Sequence, residues 1–315
     1  MLNRRHIRIK VLQILYAYHQ SESKDLKNGV KELLFSIEKM YDLYILLLLT
    51  LPEVKAISEA KNEERKNKLR PTSEDLNPNE KLLNNQLVKA LSENGPLQKI
   101  ALNRKLNWSN AEHQEMFRKM FLEMEQSETY FDFMSNGKVG SEEDKLFAIS
   151  LFKTEIANSK YLYNYFEDQS IYWLDDLDLC ASMVLKTMKS WEDTKELAIL
   201  PMFKPNDNEK EYMSTLFMKT IESDKELDAL IDAFTDNWEL ERIAKMDVLL
   251  LKMAITELME FTEIPPKVTL NEFIEISKFY STPKSNLFIN GILDKIIDQL
   301  KKEKKLNKTG RGLLN

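Results

Sequence analysis

Residues 237–295 read NWELERIAKMDVLLLKMAITELMEFTEIPPKVTLNEFIEISKFYSTPKSNLFINGILDK, and this stretch decides the fold. Three helices follow from its periodicity. In the first, Ile243, Met246, Leu249, Leu250, Met253, Ala254 and Phe261 cover a broad arc, as in a central helix packed on several sides. Asp236 or Asn237 is its expected N-cap. Pro265 and Pro266 forbid continuation and fix an extended turn. Thr269 and Glu272 then have the spacing of a capping box for the second helix. Pro283 and Ser285 precede the third, whose Ile289, Ile292, Leu293, Ile296 and Leu300 share one stripe.

Phe288 lies about 100° from the centre of that stripe, towards Gly291 and Lys295. An aromatic ring off the core face, near a helix start and beside a residue without a side chain, forms a small platform. Helix-start amides attract phosphate, and an exposed ring stacks an unpaired base. The competing reading is that Phe288 packs on another helix and Gly291 merely permits close contact.

The first helix is the other informative segment. On a wheel of residues 4–20, Ile7, Val11, Ile14, Leu15 and Tyr18 form the packed stripe. Arg5, His6, Ile9, Gln13 and Tyr16 fall opposite, with Arg8 on the border. Tyr16 is therefore free to bind something, or is an ordinary surface tyrosine.

Few glycines and prolines (7 and 9 in 315 residues) point to an all-α protein. The one cysteine, Cys180, excludes a disulfide framework and a multi-cysteine zinc site, and is expected to be a buried apolar side chain. No secretory h-region follows the N-terminal arginines, and the longest apolar run, Leu43 to Leu49, is too short to span a bilayer, so a cytoplasmic protein with no membrane partner is expected. His6, His19 and His113 share no metal or catalytic spacing, and no phosphate-binding glycine loop occurs. The expectation is a non-enzyme without cofactor, catalytic residue or metal. Charge is uneven: residues 1–21 carry +4, residues 301–315 carry +5, and the remainder carries −15. An acidic body with basic ends suits a protein that meets a polyanion at one place, with a solvated tail as the alternative for the C-terminus.

Four features in one order, W-x-L-E-R-I-A-x-x-D, I-P-P-K-V, N-E and F-I-N-G-I-L-D-K, resemble the C-terminal half of the NusB family. The opening RRHIRIKVLQILYAYHQ is similar to that family's arginine-rich first helix. The resemblance implies an all-α NusB-like bundle of two packed three-helix-type subbundles, and a transcription antitermination factor. Such a factor binds a boxA-like single-stranded RNA of the ribosomal RNA leader with NusE, a ribosomal small-subunit protein, within a transcription complex. Carried over by position, Arg4, Arg5, His6, Arg8, Phe288, Asn290 and Gly291 become RNA contacts, and Gln13 and Tyr16 partner contacts. Where many members carry a third arginine and a lysine before the aromatic, this chain has His6 and Leu287. The rival reading is a non-enzymatic interaction protein that keeps the fold with RNA binding lost or weakened. A NusB-like domain also opens certain ribosomal RNA cytosine methyltransferases, but the scarcity of glycine and cysteine excludes that enzyme.

The expected organisation is residues 1–52 as the N-terminal part of the bundle, 53–205 as a helical insertion, 206–300 as its C-terminal part and 301–315 as a basic tail. Within the insertion, Glu53 to Lys81 reads as a linker or exposed arm. Ser109 with Glu112, and Ser141 with Asp144, read as helix starts, followed by apolar stripes that include Phe117, Phe121, Leu146 and Phe147. Whether the chain forms a homodimer is left open.

Overall fold

The computed structural model describes residues 2–22, 24–203, 208–235 and 243–313. Among them every regular element is helical. The chain divides into two compact units, one formed by residues 1–37 and 203–315 and the other by 38–202. These divisions lie earlier than residues 52/53 and 205/206. The first falls inside a helix, α2 (Leu26–Leu48), which follows α1 (Arg4–Gln20).

The 38–202 unit holds the second half of α2 and nine further helices: α3 (Thr50–Lys66), α4 (Ser73–Leu76), α5 (Gln86–Ser92), α6 (Gly95–Arg104), α7 (Ala111–Met124), α8 (Glu128–Ser135), α9 (Ser141–Leu151), α10 (Lys160–Gln169) and α11 (Leu177–Lys189). Buried polar contacts explain why that half of α2 belongs here: Tyr44 and Thr187 hydroxyls lie 2.7 Å apart, and the buried Cys180 thiol points at Met40 O. Trp108, fixed by an indole bond to Leu46 O at 3.1 Å, packs against His113, Phe117, Tyr165 and Phe166.

Four local readings in this unit are corrected. The start of the supposed linker is helix α3, with Val54 and Ile57 buried against α5 and α7; its apolar stripe is narrow and diluted by Ser58 and Asn62, which hid it. The α7 cap is Asn110, whose side chain accepts from His113 N at 2.7 Å, not Ser109. Asp144 does not cap its own helix. Its carboxylate accepts from Gln86 N at 3.0 Å, at the start of α5. Leu146, expected on an apolar stripe, is exposed.

The other unit joins α1 and the start of α2 to α12 (Glu209–Glu222), α13 (Asp224–Asp232), α14 (Lys245–Glu260), α15 (Pro266–Tyr280) and α16 (Ser285–Lys302). Helix α14 is its axis, packed by α1, α12, α13, α15 and α16. Residues Leu249 to Leu258 are buried without interruption, as a helix surrounded on all sides must be. Its polar side chains then need internal partners. Lys252 reaches Asp224 and Asp228 at 2.6 and 2.8 Å. Thr256 donates to Lys252 O.

The expected N-cap at Asp236 or Asn237 lies outside the described residues, as does the first part of the W-x-L-E-R motif. The Thr269–Glu272 capping box is also corrected. Helix α15 begins four residues earlier, with Pro266 in its first turn, where a missing N–H costs nothing. Thr269 thereby becomes interior to the helix, and both residues are used in tertiary contacts.

Candidate nucleic-acid interface

Glu257 organises one end of the α14 bundle. It is fully buried and accepts from Arg8 Nε at 2.6 Å, Arg8 Nη2 at 2.8 Å, Thr269 Oγ1 at 2.7 Å and the Tyr212 hydroxyl. Burial, with Glu257 alongside, pushes the Tyr212 hydroxyl well above its ordinary value, so it stays a donor. Arg8 is only 2 % exposed and also lies 3.6 Å from Glu272. Its assignment as an RNA contact is corrected: both faces of its guanidinium are spent inside the protein. The wheel put Arg8 on the border of the packed stripe, but α12 and α15 extend the buried arc to cover it, together with Lys10 and Leu12.

The neighbouring cations are nearer solvent and also paired. Arg5 makes a bidentate bond to Glu272 at 2.8 and 2.7 Å. That hydrogen bond holds the Glu272 carboxyl below its usual range and raises Arg5. Arg4 lies over the Tyr212 ring and reaches Glu263 at 3.4 Å. His6 closes a capping box with Asn3, and burial, reinforced by Arg5, lowers its pKa. The first helix is therefore basic in sequence and largely neutralised in three dimensions. Sequence reading did not pair these cations with Glu257, Glu263 and Glu272 because each partner lies 249 or more residues away along the chain.

The other end of α14 carries the aromatic residues. Phe288, half-buried in the first turn of α16, borders a cleft of about 360 Å³ with Ile243, Ala244, Asp247, Thr282, Lys284 and Ser285. A methyl group added at Gly291 would meet nothing within 4 Å, so this glycine is not there for close helix packing. Asn290 lies beside it, its amide 3.3 Å from Asp294. Asp247 accepts from Ser281 and Ser285 hydroxyls at 2.5 and 2.7 Å. A carboxylate thus already sits at the start of α16, which leaves the Phe288 ring rather than the helix amides to face a ligand.

Tyr16, 40 % exposed, lines an adjoining cleft of about 440 Å³ with His19, Gln20, Lys245, Val248 and Lys252, and Ile243 belongs to both clefts. Gln13 is partly exposed one turn earlier on α1. Helices α1 and α14 run antiparallel: Arg8 meets Glu257 at one end, whereas Tyr16 meets Val248 at the other. The fold therefore places Phe288 and Tyr16 on adjoining clefts at one end of α14 and Arg4, Arg5 and His6 at the other, about 15 Å along α14 at 1.5 Å per residue.

Comparison with known proteins identifies the family of the chain. The sequence model described as NusB family matches residues 169–298, beginning 37 residues before the expected 206. The chain is 49% identical over 105 residues to the transcription antitermination protein NusB of Salinibacter ruber, covering 33% of this chain and 66% of that protein. It is 42% identical over 106 residues to the protein of that name from Chloroherpeton thalassium (34% of this chain, 50% of that one). The corresponding protein of Natranaerobius thermophilus is 38% identical over 97 residues, covering 31% of this chain and 70% of the relative. The chain thus spans between half and about two thirds of the length of these curated relatives. No solved structure matches it. By sequence identity and by an all-helical bundle built on the matched segment, the chain belongs to the NusB family.

Proposed function

We propose that this protein is a transcription antitermination factor that holds a boxA-like single-stranded RNA of the ribosomal RNA leader together with NusE, and so keeps polymerase from terminating early. The observation that carries the reading is the surface position of Phe288, with Asn290 and the uncovered Gly291 beside it: a stacking platform on the segment most similar to the antitermination proteins. Phe288 stacks a base, Arg4, Arg5 and His6 lie along the backbone path, and Tyr16 with Gln13 faces the protein partner. This activity places it in the cytoplasm, and no described helix is long and apolar enough to cross a membrane.

A second reading, a NusB fold with weakened RNA binding, is favoured by one observation: Arg4, Arg5 and Arg8 are all matched by carboxylates. A fluorescence titration with boxA-like RNA, with and without NusE, separates the two. The first reading expects binding that weakens with salt and with Phe288→Ala. Absence of binding in the presence of NusE favours the second.

A further inference from the structure

The two basic ends of the sequence meet in the fold. Helix α16 returns its C-terminal end towards the turn between α14 and α15, and the residues after it fold back onto that turn. Thr309 N donates to Thr262 O at 3.0 Å, and the Thr309 and Thr262 hydroxyls are 3.0 Å apart. Lys308 Nζ donates to Phe261 O at 2.9 Å, a cation on the carbonyl end of α14. Gly312 is buried where an added Cβ would lie 2.0 Å from Thr262 O, so only glycine fits. The tail is thus strapped down, not solvated throughout. The strap ends one residue from Glu263, the partner of Arg4.

Lys301 and Lys302 end α16 and Lys304 follows it, all exposed, with no ion pair among the described residues; Lys305 is held by Glu303 at 2.7 Å. This inverts the charge distribution read from sequence. The arginines of α1 are paired with Glu263, Glu272 and Glu257, whereas Lys301, Lys302 and Lys304 have no ion pair among the described residues. We propose that the strapped C-terminal segment, through Lys301, Lys302 and Lys304, is the principal phosphate-binding surface of this protein for single-stranded RNA. The inference rests on the RNA-binding function proposed above. The last turn of α16 holds Lys301 and Lys302, and the anchors Lys308 and Gly312 hold the segment that carries Lys304, at the arginine end of the bundle, so that a strand stacked on Phe288 meets cations where α1 offers few.

The test is a titration of the full chain with labelled boxA-like single-stranded RNA across a series of KCl concentrations. Every lysine–phosphate pairing removed reduces the log–log salt slope by about 0.7 for a single strand, so the triple variant Lys301→Gln, Lys302→Gln, Lys304→Gln is expected to reduce it by about 2, with weaker binding at low salt. Gly312→Val, which keeps every charge and undocks the strap, is expected to weaken binding as well, with helical content checked by circular dichroism. Because the three lysines are exposed, the triple variant tests the proposal even where Gly312→Val impairs folding. A triple variant with wild-type slope and affinity overturns the proposal, and so does tighter binding by a folded Gly312→Val protein, which makes the strap a cover. Loss of all binding by the wild-type chain overturns the RNA reading itself, a separate outcome.

Discussion

Arg8 and Glu257 form a bidentate ion pair, 2.6 and 2.8 Å, with both side chains removed from solvent. A guanidinium expected at the surface is thereby part of the core. Tyr212 and Thr269 fill the remaining acceptor positions of the carboxylate, so the pair is fully satisfied.

Breaking that pair leaves one buried charge without its partner. Glu257→Ala or Arg8→Ala is expected to lose about 3–5 kcal/mol of unfolding free energy. The double variant Arg8→Met, Glu257→Leu should recover most of it, because well-packed apolar groups replace buried ion pairs at little net cost. Urea denaturation monitored by circular dichroism measures both. A single variant that unfolds like the wild type refutes the assignment.

Phe288→Ala separates binding from stability. The ring is half-buried on the first turn of α16, so its removal should cost about 1–2 kcal/mol of stability, and affinity is compared where both proteins are folded. Stacking of one base is worth about 1–3 kcal/mol, so RNA affinity should fall by roughly 5- to 150-fold. Equal RNA affinity for the two proteins places the stacking surface elsewhere.

Gly291→Ala is predicted to act in opposite directions on stability and affinity. The position is helical and open, so alanine should stabilise α16 by roughly 0.5–1 kcal/mol. The same methyl group projects beside Phe288 and should weaken RNA binding. A variant that gains stability without losing affinity removes Gly291 from the interface.

Tyr16→Ala should reduce assembly with NusE while leaving the binding of RNA alone unchanged, since Tyr16 lines the second cleft beside Val248 and Lys252. Calorimetric titration with the partner, in parallel with the RNA titration, reads the two effects separately.

Acid should destabilise the protein in two stages. Burial lowers the pKa of His6, His19 and His113 below the ordinary 6.5. A depressed folded value means that the unfolded chain binds more protons, so this stability is present above pH 6.5 and is lost as pH falls through the folded values. The Glu272 carboxyl, lowered chiefly by its Arg5 hydrogen bond, adds stability present above 4.5 and lost as pH falls further. Melting temperatures across this range test the sign. A melting temperature that does not fall below pH 6.5 contradicts the histidine contribution, and Glu272→Gln should flatten the later loss.

The helical fold was legible because its signals are local. Alternation of apolar residues, the Pro265–Pro266 break and the order of the 237–295 features need no knowledge of what lies across the core. The off-stripe angle of Phe288 and the outward face of Tyr16 were legible for the same reason, since both follow from about 100° per residue. Three-residue capping patterns were not, because Thr269, Glu272 and Asp144 are polar groups that distant elements also compete for. The fate of Arg8 lay further out of reach, as its partner is 249 residues away.

Sequence by itself thus determined that the chain is helical, where its central helix lies, that Phe288 falls off the core stripe of the last helix, and which family the chain resembles. Tertiary structure alone decided which charges remain for a ligand. The net field that an arginine or lysine presents to a ligand depends on the carboxylates that packing brings beside it. Here Glu257, Glu263 and Glu272 close around the first helix, while Lys301 and Lys302 at the end of α16, and Lys304 just after it, stay exposed.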